Sequence, residues 1–81
     1  MLSSSQIRAA RALLGWSGTE LAEKSGVGIT TLRRYELQKG IPSANTSVLL
    51  ILKDTLELAG IEFTGDPLVN PGVTLRIKSD D

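Results

Sequence analysis

Apolar residues recur at helical spacing through the first sixty positions, and after Gly60 they recur at every second position. Ile7, Ala10, Leu13 and Leu14 fall at i, i+3, i+6 and i+7, which predicts a first helix over "SSSQIRAARALLG" with one apolar stripe. Ser3 and Gln6 have capping-box spacing, and Gly15 suits a helix end. "SGTELAEKSG" repeats the design with Ser17 and Glu20 at its start, Leu21, Ala22 and Ser25 facing inward, and Gly26 as its stop. "GITTLRRYELQKG" predicts a third helix with Gly28 as a cap that lacks a side-chain acceptor. Leu32 and Tyr35 point inward there, Ile29, Thr30, Arg33 and Arg34 point outward, and Gly40 with Pro42 ends the run. "NTSVLLILKDTLELAG" predicts a fourth helix from Asn45 to Gly60, with Leu49, Leu52, Leu56 and Ala59 as its core stripe. Val48, Leu50, Ile51 and Leu58 widen that stripe beyond one face. They either lie beneath a C-terminal element or are buried between two subunits.

That element is a β-hairpin. Ile61 and Phe63 share one side of a first strand, while Val73, Leu75 and Ile77 alternate with Thr74, Arg76 and Lys78 in a second. "GDPLVNPG" between them is rich in turn residues. Two strands alone are marginal in water, so the hairpin must pack on helix 4 or join strands from a second subunit. The pattern predicts a mostly α fold of roughly four to five helices with a C-terminal β-hairpin. Its organisation is 1–60 for the helices, 61–78 for a hairpin extension serving packing or dimerisation, and 79–81 for a solvated tail. Trp16 is expected to fill the turn between helices 1 and 2. Only Val27 separates Gly26 from Gly28, and so short a connection makes helices 2 and 3 cross in a helix-turn-helix arrangement.

The 81 residues carry nine Lys/Arg and nine Asp/Glu, with neither cysteine nor histidine. Thiolate zinc sites, Ser-His-Asp triads and Cys-His dyads are therefore excluded, and neither a metal nor a cofactor is expected. The carboxylates sit on exposed turns and caps without an acid–base cluster, which argues against an enzyme. No apolar run approaches the roughly 18 residues of a membrane span, and "MLSSSQIRAARALLGW" does not read as a signal peptide, so a soluble cytoplasmic protein is expected. Zero net charge conceals an asymmetry. Residues 1–40 hold six bases against three acids, +3, and residues 41–81 hold three against six, −3. A polyanion, if one binds, meets the first half. On composition alone solvated surface is the better reading of these charges, and Arg8 reads either as an exposed charge or as a distant phosphate contact.

Leu21, Ala22, Gly26, Val27, Leu32, Tyr35 and Glu36 in "LAEKSGVGITTLRRYE" give the chain its resemblance to a known family. It resembles the lambda-repressor-like helix-turn-helix domains of Cro-type (XRE family) transcription regulators, over residues 3–60 most clearly. The resemblance implies that Ile29, Thr30 and Arg34 meet base edges, and that Arg33 reaches a base or a phosphate. It implies backbone contacts from Gly18, Thr19, Gly28, Thr31, Gln38 and Lys39, and a structural salt bridge between Arg11 and Glu36. Two positions depart from the pattern. Gly18 stands where relatives commonly carry a phosphate-binding glutamine, so backbone amides must serve there. Ile29 stands where a hydrogen-bonding side chain is frequent, and it can touch only apolar features such as a thymine methyl.

The expected function is sequence-specific binding of double-stranded DNA by a transcriptional regulator, a repressor that lays helix 28–37 in the major groove as a homodimer. Leu50, Ile51 and Leu58 are its expected dimer interface. Two alternatives stand beside it: an antitoxin-type DNA-binding protein that docks a partner toxin, and a protein-interaction module that has lost DNA binding.

Overall fold

Four helices and one hairpin make up a computed structural model that describes residues 2–43 and 45–77. They are α1 (Ser4–Leu14), α2 (Gly18–Ser25), α3 (Ile29–Leu37), α4 (Thr46–Leu58), β1 (Ile61–Thr64) and β2 (Gly72–Leu75). The local chemistry of the helix ends explains their limits. Both capping boxes form: the Ser3 and Ser17 hydroxyls accept from the amides of Gln6 and Glu20, whose side chains accept from the cap amides in return. Each satisfies two amides that have no partner within the helix. Gly26 ends α2 at φ 77°, a left-handed conformation that a side chain would strain, and Val27 then buries as the chain turns into α3.

The core gathers Ile7 and Ala10 of α1, Leu21 and Ala22 of α2, Leu32 and Tyr35 of α3, Leu49, Leu52 and Leu56 of α4, and Ile61 of β1. The hairpin is antiparallel with Ile61 opposite Leu75 and Phe63 opposite Val73. β2 packs on α1 and β1 on α4. The amide of Gln6 ties the hairpin down, with Nε2 donating to the carbonyls of Thr64 (3.4 Å) and Gly72 (3.2 Å). On the other flank of the α1 start, the Ser4 amide donates to the Gly40 carbonyl at 2.8 Å, and the Ser4 hydroxyl donates to Gly40 and Gln38. The first turn of α1 thus fixes both the hairpin and the chain leaving α3.

Four expectations need correction. Leu13 is not in the core stripe and is 46% exposed. Six residues advance a helix by about 240° from Ile7, which turns Leu13 toward solvent, whereas the seventh residue, Leu14, returns to the packed side. Leu50, Ile51 and Leu58 do not lie beneath the hairpin and are 52%, 44% and 89% exposed. The second strand ends at Leu75, so Ile77 is 85% exposed beyond it. Trp16 is only half-buried, with the Lys24 ammonium 5.0 Å from its ring centre. Lys78 and the tail 79–81 lie outside the described residues.

Candidate nucleic-acid interface

α3 presents two faces. Successive residues turn by about 100°, so Leu32, Tyr35 and Glu36 share the buried side and Thr30, Arg33, Arg34 and Leu37 share the opposite one. The exposures follow: the first three are buried and the last four are exposed. Because the hairpin packs on α1 and α4, it leaves Arg33 and Arg34 open to solvent. Arg34 lies with its guanidinium 5.8 Å from the Tyr35 ring centre, a weak restraint on where it points.

Thr31 is half-buried at the edge of the exposed face, and Thr19, Gly28 and Lys39 are exposed. Ile29 does not project freely. It is half-buried against the core, and its Cδ1 lies 3.4 Å from where a Cβ on Gly18 would be. The bare Gly18 backbone and the Ile29 side chain therefore fill one space, a complementarity that the sequence does not announce. Gln38 is turned back into its own loop, where its Oε1 accepts from the Ser43 amide at 2.8 Å and leaves Nε2 as its outward donor.

Arg11 and Glu36 meet between α1 and α3. The Arg11 Nη2 lies 2.9 Å and its Nε 3.3 Å from one carboxylate oxygen, and Nη1 donates to the Trp16 carbonyl at 3.2 Å. Glu36 is nearly closed off from water at 9% side-chain exposure, and Arg11 keeps 28%. Arg8, one turn earlier on α1, donates from Nη1 to the Glu36 carbonyl at 2.9 Å. Arg8, Arg11, Arg33, Glu36, Gly18 and Thr19 wall an open cleft of about 430 Å³, with Leu37 at its edge. Sequence reasoning missed Leu37, which is 83% exposed on this face. The available signal was its place seven residues after Thr30, on the same side of the helix.

The chain, whose α2 and α3 are joined through a left-handed glycine and tied to α1 by a partly buried ion pair, matches a known family over residues 7–52, that of the helix-turn-helix proteins. The chain belongs to this helix-turn-helix family. Its Cro- and lambda-repressor-like members are DNA-binding regulators, and double-stranded DNA is the partner that membership supports. No curated protein matches the chain. Among the described residues no helix is long and apolar enough to cross a membrane.

Proposed function

We propose that this helix-turn-helix protein is a repressor that occupies a palindromic duplex site as a homodimer, with α3 of each subunit in a major groove. The observation that carries the reading is the outward row of Thr30, Arg33 and Arg34 on the second helix of the motif, open to solvent. Arg34 has the reach and fork geometry to pair with guanine O6 and N7, a contact worth about 1 to 3 kcal/mol of discrimination. Thr30 offers a hydroxyl to either kind of base edge, and the uncovered part of Ile29 suits a thymine methyl. Backbone contacts come from Gly18, Thr19, Gly28, Thr31, Lys39 and the free Nε2 of Gln38.

Dimerisation answers the weakness of one neutral module. Leu50, Ile51 and Leu58 on α4 are exposed, and Leu58 and Ile77 border a groove with Leu14, Ala59, Gly60 and Leu75. For both recognition helices to enter the major groove, a second copy docked on these side chains must hold them about 34 Å apart, one DNA turn. In this reading residues 1–60 hold the DNA-binding unit and 61–78 a hairpin that packs on it and borders the dimer face. The same apolar face also suits a foreign protein, as in an antitoxin. Light scattering on the purified chain separates the two: a dimer at micromolar concentration supports self-association, and a monomer supports the foreign partner.

The test of the DNA reading is selection from random duplexes with the parent chain and Arg34→Ala. The expected result is a two-fold symmetric preferred site, with preference lost at one or two base pairs per half-site in the variant. Binding that does not weaken as salt rises would mean that DNA recognition has been lost and that the chain works as a protein-interaction module.

A further inference from the structure

The cleft at the start of α2 divides the arginines of this surface into two roles. Resting on the DNA-binding reading above, we infer that Arg8 and Arg33 together grip one backbone phosphate over the bare Gly18 backbone, and that Arg34 alone of the α3 arginines reads a base.

Position on the helix separates the two neighbours. Arg33 and Arg34 point about 100° apart around α3. Arg33 leans to the α2 side, where it walls the cleft with Gly18 and Thr19, while Arg34 leans the other way, over the Tyr35 ring. Charge then selects the cleft for an anion. Of its three guanidiniums, Arg11 is neutralised by Glu36 at 2.9 Å. Neither ion pair among the described residues involves Arg8 or Arg33. The cleft therefore carries two uncompensated positive charges on a protein with no net charge.

Arg8 is also held in place. Its hydrogen bond to the Glu36 carbonyl, 2.9 Å long, uses one of five N–H donors and fixes the guanidinium against the C-terminal part of α3, leaving four for an oxyanion. Gly18 completes the fit. Gly18 lines the cleft with bare backbone, and without a side chain a phosphate can approach that peptide closely. The glutamine expected at this position by resemblance is thereby replaced by an arginine from the preceding helix, a substitution across elements that alignment of the motif alone does not reveal.

The experiment measures duplex affinity against salt concentration for the parent, Arg8→Gln, Arg33→Gln and Arg34→Gln, on the selected site and on an unrelated duplex, with helix content checked by circular dichroism. For Arg8→Gln and Arg33→Gln the expected result is a weaker grip on both duplexes alike and a log–log salt slope reduced by about one. Arg34→Gln instead lowers the ratio between the two duplexes. A change of base preference in Arg33→Gln, or an unaltered slope in Arg8→Gln, overturns the assignment while leaving DNA binding intact. A parent chain whose duplex binding ignores salt removes the functional reading and this inference with it.

Discussion

Breaking the Arg11–Glu36 pair should cost more from the glutamate's partner than from the glutamate itself. Exposed ion pairs are worth about 0 to 1 kcal/mol, whereas stripping one partner from a fully buried pair costs about 3 to 5 kcal/mol. This pair lies between those limits, since the Glu36 side chain is 9% exposed and that of Arg11 28%. Glu36→Ala leaves a guanidinium that still reaches water through the cleft and keeps its bond to the Trp16 carbonyl, so the expected loss is about 2 kcal/mol. Arg11→Ala strands the drier carboxylate and removes that carbonyl bond too, so the expected loss is about 3 kcal/mol. Because both single variants break the same contact, the double variant should lose less than the sum, by about 1 to 2 kcal/mol. In a domain of this size 1 kcal/mol moves Tm by about 4 to 8 °C, so Glu36→Ala should melt roughly 8 to 16 °C early. Urea unfolding followed by circular dichroism measures all four corners of the cycle. Additivity within about 0.3 kcal/mol, or a larger loss from Glu36→Ala than from Arg11→Ala, would refute the argument from burial.

Gly60 sits at φ 107°, and a Cβ there would come within 2.7 Å of the Arg76 carbonyl oxygen, so Gly60→Ala should lose about 2 kcal/mol or more by urea unfolding. A loss under about 0.5 kcal/mol would show that the hairpin relaxes freely at its hinge. Leu58 is 89% exposed in the single chain, so Leu58→Asp should leave monomer stability within about 0.5 kcal/mol. In a symmetric dimer it removes two leucine burials of about 1.5 to 3 kcal/mol each, so sedimentation should show the dimer weakened by about a hundredfold or more. An unchanged dimer would place the interface elsewhere.

What the sequence made legible was the chemistry confined to a few neighbouring residues. Ser3 with Gln6 and Ser17 with Glu20 act across one helical turn, and Gly26 acts on its own φ, so spacing alone reveals them. The short link between α2 and α3 followed from the single residue between Gly26 and Gly28. Contacts between elements were not legible. Gln6 reads as a capping residue, yet the same amide also holds two carbonyls of the hairpin some sixty residues later, and nothing local signals that second use. Arg8 reads either as a solvated charge or as a phosphate contact, and nothing local signals that α3 brings the Glu36 carbonyl to it. Ile29 reads as an outward residue because the pattern could not show that Gly18 leaves it room. Leu13 departs from its expected place for a simpler reason: a spacing of six falls outside the stripe that only three, four and seven satisfy.

The two surfaces should respond to salt in opposite directions. The surface proposed to face DNA is basic: Arg8, Arg33 and Arg34 carry charge without an ion-pair partner among the described residues. The proposed dimer face is edged by acids, with Asp54 and Glu57 bordering the hollow beside Leu58 and the half-buried Lys53 as the base on α4, while Arg76 at the groove is paired with Glu62. Two copies meeting about a symmetry axis bring like patches together, so acid approaches acid while leucine meets leucine. Added salt screens that repulsion within about 10 Å at 0.1 M and leaves the apolar burial intact, so the dimer should tighten as salt rises. The same salt releases the phosphate contacts, so operator binding should weaken even as the dimer population grows. Sedimentation of the free chain and a binding titration over one salt series measure the two trends. A dimer that falls apart with added salt would show that its contacts are ionic, and the α4 face would then not be what holds the two copies together.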